Sequence, residues 1–91
     1  MSETVYRIKI MEFYLDALCL AIKNCPEAFD YDENVKDMLK KLTDYYDGGQ
    51  WMRDYEADER GELPPGLKRG VLSEDAVYDL LSEVHNLRYG Q

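Results

Sequence analysis

The sequence predicts an all-α fold, a small helical bundle of two long antiparallel helices, a short third helix and a C-terminal helix. Three observations carry this expectation. Apolar residues recur at steps of three and four in each long segment, the period that gathers them on one side of a helix. Helix breakers fall between the segments, at Pro26, Gly48-Gly49, Gly61 and Leu63-Pro64-Pro65-Gly66. No segment alternates apolar and polar residues as a half-buried strand does.

Ser2 is placed to cap a first helix that begins at Glu3, with that acid in the first turn where the helix dipole favours it. Ile8, Met11, Leu15, Leu18, Ile22 and Cys25 then repeat at steps of three, four, three, four and three. This spacing also suits a coiled-coil-like seam. Phe13, Tyr14, Ala17, Leu20 and Ala21 widen the apolar stripe beyond what a two-helix hairpin covers. The first helix is therefore expected to be central in the bundle or shared with a second copy.

Pro26 ends that helix near Cys25, because the residue before a proline resists the α region. Two starts are open for the next helix: Pro26 at its first position, or Asp30 as the cap with Glu33 closing a capping box. Tyr31, Val35, Met38, Leu42 and Tyr45 form its apolar face. Lys36, Lys40 and Lys41 alternate with Asp32, Asp37 and Asp44 on the other side, and Gly48-Gly49 stops it. Gln50 to Glu59 is a short third helix with Gly61 as its terminator. The proline-bearing connection must run extended and then turn; it carries Lys68-Arg69-Gly70. Ser73 caps the last helix, Glu74 and Asp75 occupy its first turn, and Leu72 can staple onto Val77. Val77, Leu80, Leu81, Val84 and Leu87 give it a buried face, and Gly90 closes it.

At 91 residues the chain reads as one domain, residues 1–91, of a size that buries only about 60–65% of its unfolded surface. A hydrophobic fraction of 45% argues against disorder. The net charge of −8 is unevenly spread. Three acids balance three bases before Pro26, whereas Glu27 to Asp47 holds seven acids against three bases and Arg53 to Glu62 five against two. Such acidity disfavours direct nucleic-acid binding, which depends on Lys and Arg displacing counterions. It favours a positively charged partner.

Cys19 and Cys25 lie six residues apart on one helix, so they point roughly 120° away from each other and cannot bond. They are expected to be inert buried thiols in a reducing, cytoplasmic setting. Glu3 precedes the bases, and Glu12 and Asp16 interrupt the only apolar run, so no signal peptide is expected. No stretch approaches the roughly 18 apolar residues of a membrane span.

The chemistry-bearing residues concentrate in the middle of the chain. Asp54, Glu56, Asp58 and Glu59 form an acidic cluster, with Asp54 and Asp58 on one helix face. They could hold a divalent cation, but Lys68 and Arg69 lie across a short stiff connection, and internal ion pairing with them is the favoured expectation. The cluster lacks the ligand spacing and mid-loop glycine of a calcium loop. Trp51 and Tyr55, four apart, follow Tyr45-Tyr46. They could stack bases or dock a peptide, but are expected to seat the short helix on the hairpin. Lys68-Arg69 is too small a basic footprint for nucleic acid. His85, the sole histidine, is expected at the surface near a helix C-terminus. No Cys/His metal spacing, phosphate-binding glycine loop or nucleophile motif is present, so neither catalysis nor a cofactor is expected.

These residues carry a resemblance. Tyr45, Tyr46, Trp51, Asp54 to Glu59, Leu63-Pro64, Leu67 to Asp75 and Tyr78 match the pattern W-x-x-D-[YF]-E-x-D-E-x-G-x-L-P followed by L-K-R-G-V-L-S-E-D. This resembles a family of small bacterial proteins grouped as a domain of unknown function, family 4298. The resemblance covers roughly the C-terminal half and implies a small helical bacterial protein, with no activity, ligand or partner to carry over. The leading functional expectation is a non-catalytic interaction or structural module. It binds another protein through an acidic helical face and forms a homo-oligomer, with Trp51, Asp54, Tyr55, Glu56, Asp58, Glu59, Lys68 and Arg69 as interaction surface or ion-pair network. A second expectation is an acidic nucleic-acid mimic that occupies a basic partner through Asp30, Asp32, Glu33, Asp37 and Asp44. A third is a divalent-metal protein or hydrolase built on Asp54, Glu56 and Asp58.

Overall fold

A computed structural model describes residues 2–89. Among them are five α-helices and no strand: α1 (Glu3–Asn24), α2 (Ala28–Tyr31), α3 (Glu33–Asp47), α4 (Gln50–Glu59) and α5 (Ala76–Tyr89). A single 3-10 turn, Gly70–Leu72, interrupts the connection between α4 and α5. The all-α bundle predicted from periodicity is the observed fold.

The Ser2 hydroxyl accepts from the Val5 amide at 3.1 Å and starts α1 where expected. The start of α3 differs from both alternatives. Pro26 and Glu27 open a single extra turn, α2, and Asp32 rather than Asp30 caps α3, accepting from the Asn34 and Val35 amides at 2.9 and 3.3 Å. Both aspartates are competent caps. The choice falls to Asp32 because α2 buries Ala28 and Phe29 (1% exposed), which the later start permits. Gly48 ends α3, and Gly49 begins α4 with φ of 97°, a left-handed conformation that glycine adopts without a Cβ clash. The boundaries of α4 are those predicted. Gly61, at φ 72°, reverses the chain after it.

Ser73 accepts from the Ala76 amide at 3.2 Å, but the helix begins at Ala76, so Glu74 and Asp75, expected in its first turn, form a turn ahead of it. The predicted partners Leu72 and Val77 are both buried, at 3% and 0% exposure. Leu87 is a correction: it lies outside the core at 48% exposure, although the neighbouring Arg88 still borders Lys36, Leu39 and Lys40 of α3. The Gly90 terminator lies outside the described residues.

The core gathers Ile8, Leu15 and Leu18 of α1, Phe29 of α2, Val35, Leu42 and Tyr45 of α3, and Trp51 of α4. Val71 and Leu72 of the connection and Val77, Leu80 and Val84 of α5 complete it. Tyr45, near the end of α3, and Arg7, near the start of α1, converge on the same carboxylate, so the two long helices run antiparallel. Helix α1 packs against α3, α5 and the 3-10 turn. It is not enclosed, however: Tyr6, Phe13 and Leu20 are 62%, 64% and 58% exposed. Cys19 is also exposed and Cys25 half-buried, so the expectation of two buried thiols is corrected. Cys19 falls on the flank of α1 between the core stripe and the outer face. Partial burial, with Asp16 and Glu83 nearby, pushes its thiol above the usual value. No described helix is long and apolar enough to cross a membrane.

Candidate functional site: a clamped connection and two charge clusters

Charged and aromatic residues of the middle segment meet in three groups. The deepest centres on Asp54. Its carboxylate is 1% exposed and is bound by Arg7, with Nε 3.0 Å from Oδ2 and Nη2 2.6 Å from Oδ1. The Tyr45 hydroxyl donates to Oδ2 at 2.7 Å. Both carboxylate oxygens are thus satisfied by charge-assisted or phenolic donors, the condition under which a buried charge is tolerated. The hydrogen bond from Arg7 to Asp54 raises the Arg7 pKa, and burial followed by Tyr45's own hydrogen bond to Asp54 drives the phenol above its usual range.

The second group is the connection itself. The Trp51 indole Nε1 donates to the Val71 carbonyl at 2.8 Å. On the other side of the same residue, the Val71 amide donates to Glu12 Oε1 at 2.8 Å. One residue of the loop is therefore held from α4 and α1 together. Glu12 is 8% exposed, and Gly70 lies close enough that a Cβ there would sit 3.0 Å from Glu12 Oε2. The glycine lets the loop backbone approach a buried carboxylate. Tyr55 stacks on Trp51, with rings 5.1 Å apart and 14° from parallel, and Tyr46 meets the indole edge-on at 5.3 Å. Trp51 and Tyr55 thus do seat α4 on the bundle.

In the third group Arg69 Nη1 contacts Asp58 Oδ1 at 2.6 Å, while its other nitrogens donate to the Leu67 and Pro64 carbonyls. This ties the proline-bearing connection to the end of α4. Lys68 does not join it: its ammonium lies 3.5 Å from Asp16 of α1, and both side chains are more than half exposed. Glu56 and Glu59 are exposed.

The acid cluster is therefore divided. Asp54 faces Arg7, Asp58 faces Arg69, and Glu56 faces solvent, so the three carboxylates do not converge on a point. No group of three or more His, Cys, Asp or Glu side chains is placed to hold a metal ion among the described residues. The acids of α3 are also largely partnered. Glu33 lies 3.4 Å from Lys36, Asp37 3.0 Å from Lys41, and Asp44 2.8 Å from Lys40, while Asp32 is spent as a cap. His85 is exposed, its ring 5.0 Å from that of Tyr89.

Arg7 and Glu12 escaped the reading of the sequence. Their signal was positional. Glu12 stands four after Ile8 and three before Leu15, and Arg7 four before Met11, so both charges fall on or beside the buried stripe and demand partners.

Fold and network together define a class: a small all-helical bundle whose long α4–α5 connection is clamped inward as part of the core. Within that class the chain belongs to the family described as a domain of unknown function (DUF4298), whose model matches residues 8–89. The match takes in α3 and most of α1 as well as the C-terminal half that carried the resemblance. No curated protein and no solved structure matches the chain.

Proposed function

We propose that this protein is a non-catalytic interaction module that docks another helix on the outer face of α1. The supporting observation is a second apolar seam on that helix. Tyr6, Ile10, Phe13, Ala17 and Leu20 follow one another at steps of four, three, four and three, on the side opposite Ile8, Leu15 and Ile22. Tyr6, Phe13 and Leu20 are each more than half exposed, whereas scattered single apolar residues are what a surface ordinarily shows. The spacing is that of a helix-pairing seam. This moves the docking surface away from the acidic face of α3, whose carboxylates are matched by lysines, and away from Trp51, Asp54, Asp58 and Arg69, which are engaged in contacts within the chain. The same pairing of the α3 acids weakens the case for a phosphate-array mimic, which needs uncompensated carboxylates.

A photo-activated cross-linker placed at position 13 or 20 in the expressed protein tests this reading, with position 40 on α3 as control. Adducts to polypeptide are expected from the two α1 positions and not from the control. An absence of adducts from both α1 positions overturns it.

A further inference from the structure

The charges beside the seam point to its occupant. We infer that the outer face of α1 pairs antiparallel with α1 of a second copy of this chain, an inference that rests on the docking reading above. In heptad terms Tyr6, Phe13 and Leu20 hold the d positions and Ile10 and Ala17 the a positions. Lys9, Asp16 and Lys23 then occupy the flank that precedes each a position. In an antiparallel pair this flank faces its own counterpart, so the order Lys–Asp–Lys is read against its reverse.

One register satisfies both seam and flank. With Ile10 opposite Phe13 of the other copy, and Tyr6 opposite Ala17, Lys9 of each copy falls about two residues, or about 3 Å along the axis, from Asp16 of the other. Symmetry makes two such pairs. A slide of one heptad in one direction brings Asp16 against Asp16 and Lys9 against Lys23; a slide in the other brings Lys9 against Lys9. Parallel pairing sets this flank against Arg7, Tyr14 and Ala21 and forms no acid–base pair. The attractive register is thus bounded by repulsive ones, as in coiled coils whose flanking charges select partner and orientation.

Two further features suit a second copy. The segment before Pro26 carries three acids and three bases, so two chains of net charge −8 meet there without the repulsion their other surfaces would generate. Asp16 remains 54% exposed despite its 3.5 Å contact with Lys68, and so is open to a further lysine.

Sedimentation velocity of the purified protein over a range of concentrations is the test, with F13D, D16K and K9E/D16K measured alongside. All three positions are exposed, and an unchanged melting temperature checks that each variant folds. The expected result is a concentration-dependent dimer in the wild type and a monomer in F13D. Association of D16K should weaken roughly tenfold, as both pairs become repulsive, and should recover in K9E/D16K. A wild type that stays monomeric overturns the second copy but not docking on α1, which the cross-linker judges separately. A dimer that survives F13D overturns pairing of the second copy through α1. Loss in D16K without recovery in the double variant overturns the antiparallel register.

Discussion

The buried Asp54 carboxylate separates two kinds of ion pair that look alike in the sequence. Asp54 and Asp58 are four apart on one short helix, yet Asp54 is 1% exposed whereas the Asp58 and Arg69 side chains are 23% and 35% exposed. Removing Asp54 leaves the Tyr45 hydroxyl without its acceptor in the core and the quarter-exposed Arg7 guanidinium without its carboxylate. Asp54→Ala should therefore lower stability by about 3 kcal/mol. Asp58→Ala, whose partner can turn to water, should cost about 1 kcal/mol or less. Urea denaturation of the two variants checks the ratio, and equal losses would contradict the assigned burial. Tyr45 adds a pH signature. Its folded-state pKa lies above the ordinary value of 10.0, so the folded protein holds that proton more tightly than the unfolded chain does. The stability this contributes is complete below pH 10 and is lost as pH rises beyond it. Tyr45→Phe should flatten the alkaline limb of a melting-temperature profile, and an unchanged limb would remove Tyr45 as its source. These partners were only partly legible in the sequence. Asp58 and Arg69 are eleven residues apart across a stiff loop, and their pairing was anticipated. Arg7 lies 47 residues before Asp54, and no local pattern reports so distant a partner.

At the scale of the element, legibility followed the number of independent signals at each boundary. The start of α1 and the limits of α4 were readable because a cap or glycine coincides with a change of period. The start of α3 was not, because Pro26, Asp30 and Asp32 all offer competent openings and the choice is made by burial of Phe29, a tertiary effect. The 3-10 turn at Gly70–Leu72 was unreadable for a similar reason: it is shaped by Glu12 and Trp51 gripping Val71 from two other helices. Two substitutions probe these boundaries. Asp32→Ala removes acceptors from two amides and should cost about 1 kcal/mol, measurable as a lower melting temperature. Gly49→Ala places a Cβ at φ 97°, and should cost about 1–2 kcal/mol even though the space around it is open. A neutral result would place that residue in an ordinary backbone region.

Across the whole molecule the two long helices divide their labour. Helix α1 uses one side for the core and, through Glu12, for holding the connection. Its opposite side keeps an apolar seam in solvent. The over-wide stripe seen in the sequence allowed either a central helix or a shared one, and the exposure of Phe13 and Leu20 excludes full enclosure within one chain. Between Tyr45 and Leu81 several of the specific residues fasten a long loop: Trp51, with Glu12 of α1, holds Val71, and Asp58 holds Arg69. Such a loop would otherwise be the most mobile part of a small bundle. The amide hydrogen exchange of Val71 tests this most directly. With its N–H bound to buried Glu12 and its carbonyl bound to Trp51, Val71 should exchange as slowly as core amides of α1, and much faster in Glu12→Leu. A wild-type Val71 amide exchanging as fast as an unprotected chain would show that the connection is not clamped.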